Sequence, residues 1–286
     1  MRPLILSLLS IAAAAAPNAM PLGANIDGVA DYGLTFPFIN VVRQARTWGS
    51  AGAPWDGNCS VGADGWPSQS SFGNVFVTSS SDPSAPSLVG TWLMSWEGQA
   101  TPTNLMPGSR VANLSYDPST DTTTAALVVA TSESPFIMFG FANASTARGG
   151  PGVKALKILQ PGYGYAEADG FTAPLLALLA RADVLRFMDW AHTNGNLISS
   201  WANRTLESAV TYAPEGAQVP WEVIFRLANL LEKDAWINIP AHADADYVTQ
   251  LASLAASLLN PNLNLYLEFS NEVRGSVCQI SRAPRL

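Results

Sequence analysis

The hydrophobic pattern of this chain changes period once, near residue 165, and that change limits the architectures open to it. Before it, apolar residues come in short β-type runs: Phe72 to Thr78, Ser87 to Trp96, Ala125 to Ala130, Phe136 to Phe141 and Val153 to Leu159. Stretches rich in Ser, Thr, Gly, Pro and Asn separate them, so residues 49–164 are expected to form an antiparallel, sandwich-like unit. After it, helix and strand alternate. Thr172 to Ala182 carries Leu175, Leu176, Leu178 and Leu179, and Pro220 to Lys233 carries Ile224, Leu227, Leu230 and Leu231. Asp244 caps a third helix through Leu259, with Val248, Leu251, Leu254 and Leu258 on one stripe. The strands Val184 to Asp189 and Ala235 to Ile239 fall between these helices, and an apolar run ending at Val273 follows the last one. Such alternation implies a parallel sheet. Ahead of the β-rich part, Leu22 to Ile26 reads as a short first strand. Phe36 to Trp48 reads as a helix with Phe38, Val41, Val42 and Ala45 on one side.

With 286 residues, 48% of them hydrophobic and 13% charged, the chain can bury a substantial core. Its net charge of −7 disfavours nucleic acid and anionic membrane as partners, because both want a Lys- and Arg-rich surface. A neutral polysaccharide or oligosaccharide stays compatible. Met1-Arg2, the apolar run Leu4 to Ala16 and the small residues through Ala19 have the layout of a secretory signal peptide over 1–19. The run falls short of the ~20 apolar residues that a membrane span needs. Secretion also suits the glycosylation sequons at Asn58, Asn113, Asn143 and Asn203. Two cysteines, Cys59 and Cys278, offer no disulfide scaffold; they pair in an oxidising compartment or stay as two thiols.

The segment with the most chemistry is Leu263-Asn264-Leu265-Tyr266-Leu267-Glu268-Phe269-Ser270-Asn271-Glu272-Val273, which reads as a buried strand ending in an Asn-Glu pair. Side chains alternate along a strand, so Leu265, Leu267 and Phe269 share one face and Glu268, Ser270 and Glu272 the other. A carboxylate at the carboxyl end of an apolar strand is where parallel sheets present an acid to substrate. The run "YLEFSNEV" resembles the fourth barrel strand of the clan A glycoside hydrolases, whose acid/base catalyst is the Glu of an Asn-Glu pair; Arg274 stands where the family has Trp. The stretches "VLRFMDWAHTNGN" and "PWEVIFRLANLLEKDAWINIPAHADADYV" are similar to earlier strand ends of that family, and "VKALKILQPGY" to the exit from its β unit. The resemblance implies the N-terminal part of a (β/α)8 TIM barrel with an inserted antiparallel β-rich unit. Residues 20–48 would be the first strand and helix, 49–164 the insertion, and 165–273 strands two to four. A whole barrel takes ~250 residues and eight strand-helix units, and this chain has room for about four. The basic run 274–286 resembles nothing in the family and reads as an anomalous tail after a truncation.

Retaining glycoside hydrolysis uses two carboxyl groups ~5 to 5.5 Å apart, one to protonate the leaving oxygen and one to attack. The resemblance implies that Glu272 is the acid and that Asn271 binds a sugar hydroxyl beside the cleaved bond. Arg186, on the second strand, either points inward and holds a carboxylate such as Glu268 or forms a structural Arg-Glu pair. Asp189, Trp190, His192 and Asn194 after the second strand, and His242 after the third, are candidate substrate-binding residues, since loops after parallel strands gather on one face. Trp190 and Trp201 suit stacking on pyranose rings or burial in the core. His192 and His242 lack a tight metal-ligand spacing, so no metal is expected, and no cofactor is implied. The nucleophile of the family lies on a seventh strand that has no counterpart here. The expectation is a secreted, glycosidase-like protein that does not hydrolyse by itself. The rival is a non-catalytic secreted carbohydrate-binding protein whose face is the β-rich unit, with Trp55, Trp66, Trp92 and Trp96. A third outcome is a chain that does not fold stably, because an open parallel sheet leaves a bare edge.

Overall fold

The computed structural model describes residues 21–33, 36–79, 86–131, 135–146, 150–213 and 218–272. The proposed signal peptide, Val273, the basic tail and Cys278 lie outside them. In chain order the strands are β1 (Gly23–Asn25), β2 (Phe72–Thr78), β3 (Gly90–Glu97), β4 (Gln99–Thr103), β5 (Ser109–Asp117), β6 (Thr122–Val129), β7 (Phe136–Ser145), β8 (Lys154–Leu159), β9 (Val184–Arg186), β10 (Asp234–Ile239) and β11 (Leu265–Phe269). The α-helices are α1 (Ala173–Leu179), α2 (Trp221–Leu231) and α3 (Ala245–Leu258).

These strands make three sheets: a parallel one in the order β1-β9-β10-β11, and two antiparallel ones in the orders β2-β7-β4 and β5-β6-β3-β8. This overturns the expected (β/α)8 barrel portion. Among the described residues, seven of the eleven strands are antiparallel, only three α-helices accompany them, and the parallel sheet is open, with β1 and β11 as its edges. Strand and helix alternation is a local pattern, whereas closure depends on strand tilt and stagger around a full ring, which residues 171–272 do not build. The connection between the neighbours β1 and β9 holds the whole antiparallel part ahead of α1.

Alternation along the antiparallel strands explains their packing. On β3, Trp92, Met94 and Trp96 are buried while their neighbours face outward. They meet Phe72, Phe76, Phe139 and Phe141 of the facing sheet in one apolar core. Phe72 stacks on Phe141 with ring centroids 5.0 Å apart, and Trp96 meets Phe141 edge-on at 5.4 Å. A second core lies under the parallel sheet, where Leu185, Ala235 and Ile237 pack on Trp221, Ile224, Phe225 and Leu227 of α2. The Trp221 indole donates to the Tyr247 hydroxyl at 2.8 Å, joining α2 to α3.

Phe36 to Trp48 is not the expected helix. It holds only a single 3-10 turn, Val41–Gln44, with the Asn40 side chain accepting from the Val42 amide. The segment is a seam between the two cores: Phe36, Val41, Val42, Ala45 and Trp48 enter the first, and Phe38 enters the second. Both sides being buried, an amphipathic helix has no solvent face to present, and the backbone pairs outward instead. The Ile39 amide donates to the Gly170 carbonyl, and the Ile39 carbonyl accepts from the Gln160 amide. β11 also departs from expectation. Leu267 and Phe269, expected to be buried, are 60% and 51% exposed. Leu267 borders an apolar groove of about 550 Å³ between α3 and β11, lined also by Val248, Leu251, Ala255 and Leu259.

Candidate functional site

The parallel sheet has one apolar face toward α2 and one polar face, and the polar face is read from strand register. Asn25 of β1 sits beside Arg186 of β9, Arg186 beside Trp236 of β10, and Trp236 beside Tyr266 of β11. Two residues further along, Asn238 sits beside Glu268. Because side chains alternate, these polar and aromatic groups share one surface.

Arg186 organises it. Its Nε donates to Glu268 Oε2 at 3.2 Å and its Nη2 to the same oxygen at 2.8 Å and to Asn271 Oδ1 at 2.9 Å. Its Nη1 donates to Asn25 Oδ1 at 3.3 Å and to Met188 Sδ at 3.1 Å. All five guanidinium N–H groups are therefore engaged. Asn25 passes the connection on by donating to Asp189 Oδ2 at 2.9 Å, and Asn271 does so by donating to Asn194 Oδ1 at 3.1 Å. The loops after β9 and β11 are thus tied to the strands by one network.

Glu268 is the anion of this network. Its Oε2 accepts from Arg186 twice, from Trp236 Nε1 at 3.0 Å and from Asn238 Nδ2 at 2.8 Å. Burial opposes its charge, but the hydrogen bonds from Arg186 and Asn238, the guanidinium charge and the Trp236 indole outweigh burial. The carboxyl is held below the ordinary glutamate value. Asn238 is fully buried. It donates to Glu268 and to the Ser270 carbonyl, and its Oδ1 has no partner among the described residues.

Of the residues singled out in the sequence, Arg186, Asp189, Asn194 and Asn271 come together here. Glu272 follows directly, exposed, with φ at +43°, and Ser270 has φ at +55°. Two non-glycine residues in the left-handed region flank Asn271, a costly conformation outside special sites. Trp190 is placed elsewhere. It is 1% exposed, its ring packs on Phe38, Phe171 and Phe187, and its Nε1 donates to the Asp27 carbonyl. No face is left for a sugar. His192 sits in the turn after β9 at φ +50°, with its ring against Gly195, and His242 is exposed in the turn after β10. Among the described residues no group of three or more His, Cys, Asp or Glu side chains could hold a metal ion.

Asn25, Trp236 and Asn238 were missed by the sequence reading. The signal for two of them was present: in Asp234-Ala235-Trp236-Ile237-Asn238-Ile239 the period of two sets Trp236 and Asn238 opposite Ala235 and Ile237. Trp236 and Tyr266, 38% and 45% exposed, supply the aromatic surface in place of Trp190. The Arg186 guanidinium lies over the Trp236 ring, 5.2 Å from its centroid. The groove beside α3 is on the opposite, apolar side of the sheet, and its lining carries no charged side chain. Compared with protein-family models, curated proteins and solved structures, the chain matches none.

Proposed function

We propose that this protein is a secreted, glycoside hydrolase-like protein that binds a neutral β-linked polysaccharide on the polar face of its parallel sheet without hydrolysing it. The observation that carries the reading is the saturated Arg186 network, which holds the Asn271 amide beside Glu272 and leaves two aromatic rings in the open. Amides and carboxylates placed by rigid strands suit sugar hydroxyls, and exposed Trp and Tyr rings suit the apolar C–H faces of pyranoses.

Hydrolysis with retention asks for a second carboxylate free to attack opposite the acid. Neither carboxylate of the network fits that part. Glu268 has four donors on one oxygen, which drains its nucleophilicity, and Asp189 is bonded to Asn25. The alternative binding face on the β-rich unit loses support from burial: Trp92 and Trp96 lie in the core and Trp66 is half-buried, leaving Trp55 in the open.

The test is titration of the full chain with soluble β-linked gluco- and manno-oligosaccharides, followed by tryptophan fluorescence. Trp236→Ala and Asn271→Ala are each expected to weaken binding about five- to thirtyfold, the equivalent of roughly 1 to 2 kcal/mol per lost contact. An activated aryl β-glycoside should not be turned over. Turnover abolished by Glu272→Gln would establish an enzyme instead, and absence of binding to every such oligosaccharide would remove the proposal.

A further inference from the structure

The four glycosylation sequons take no part in the sheet network, and the structure sets three of their asparagines apart from most of the others. Asn58, Asn113, Asn143 and Asn203 are all exposed; the Asn58 side chain reaches Asp56, while the side-chain amides of Asn113, Asn143 and Asn203 make no hydrogen bond among the described residues. Every other described asparagine except Asn262 has its side-chain amide engaged. Asn113, Asn143 and Asn203 thus differ from most other described asparagines, which serve as structural connectors, and each heads an Asn-x-Ser/Thr acceptor sequence. Two of the four lie inside strands, where an exposed, unengaged amide needs a device. Each sits at a β-bulge: β5 shifts register between Ala112 and Ser115, and the β4-β7 pairing shifts opposite Asn143. The bulged residues Asn113 and Asn143 have φ of +54° and +55°, which Asn tolerates better than other side chains.

We infer that Asn58, Asn113, Asn143 and Asn203 carry N-linked glycans, and that the glycan on Asn113 shields an open sheet edge. In the reaction the side-chain amide nitrogen bonds to the anomeric carbon of a lipid-diphosphate-linked oligosaccharide. The anomeric C–O bond breaks, the lipid diphosphate leaves with its electron pair, and the amide nitrogen gives up one proton. β5 is an edge of its four-stranded sheet, and Leu114, beside Asn113, is 49% exposed. An edge strand with exposed apolar side chains pairs with other chains unless something covers it.

The full chain is expressed in a eukaryotic secretory host, treated with peptide-N-glycosidase and mapped by peptide mass. Conversion of all four asparagines to aspartate is expected, with one mobility step lost for each sequon removed. An unmodified Asn113 in the chain recovered from medium or endoplasmic reticulum overturns the assignment. Shielding is read separately with Ser115→Ala, which removes the acceptor sequence and keeps Asn113 in its bulge. That variant should aggregate faster than the glycosylated chain, with unchanged far-UV circular dichroism; aggregation at the wild-type rate overturns the shielding role.

Discussion

Arg186→Met is the most informative single change, because it keeps an unbranched side chain while deleting every donor of the hub. Two hydrogen bonds to Glu268 and one each to Asn25, Asn271 and Met188 disappear together. Glu268 keeps the Trp236 and Asn238 donors but loses its counter-charge. Removing one partner of a fully buried pair costs ~3 to 5 kcal/mol, and an exposed pair is worth ~0 to 1 kcal/mol. The Arg186 and Glu268 side chains are 20% and 26% exposed, which places the loss at about 2 to 3 kcal/mol between those limits. Urea unfolding at neutral pH followed by circular dichroism measures it. The dependence on pH supplies a second check. Glu268 titrates lower folded than unfolded. Its contribution is therefore complete above the unfolded glutamate value of about 4.3, and it fades as pH falls through the lower folded value. The gap between wild type and variant should narrow over that range. A variant within ~0.5 kcal/mol of wild type, or a gap that persists unchanged in acid, would refute the idea that this ion pair organises the polar face.

Trp190→Ala should cost ~3 to 5 kcal/mol in the same assay, as a core aromatic does. Trp236→Ala should cost only about 1 kcal/mol, for its hydrogen bond to Glu268. Reversed magnitudes would exchange the roles of the two rings. Asp244 accepts from the Tyr247 amide at 2.7 Å and caps α3, so Asp244→Ala should lose ~1 kcal/mol, checked by urea midpoint. At Gly152 φ is +97°, and a Cβ there would stand 1.9 Å from the Pro67 carbonyl oxygen. Gly152→Ala should therefore cost at least ~2 kcal/mol, from left-handed strain plus overpacking, and lower the melting temperature accordingly.

Much of the local structure was legible because it depends on neighbours in sequence. Phe72 to Thr78 reads as a strand from its own residues and is one; Asp244 announces a helix start and caps α3. β4 and β5 were missed because Gln99–Thr103 includes Pro102 and Ser109–Asp117 is polar, so only pairing with β7 and β6 makes them strands. The site divided in the same manner. Arg186 and Asn271 stood out through their place at strand ends. Asn25, 161 residues from Arg186, joins them only because β1 lies beside β9. Trp190 looked available for stacking because it follows a strand, yet Phe38 and Phe171, from other parts of the chain, close over it.

Residue order alone determined where the hydrophobic period changes, where α1 to α3 form, and which side chains of a strand share a face, since all of these act within a few residues. Whether the parallel strands curl shut or stay open, which face of β11 is covered, and which distant amides converge on one guanidinium were settled by tertiary packing. Those outcomes turn on contacts between residues far apart in the chain, and the periodicity of a single strand carries no record of its eventual neighbours.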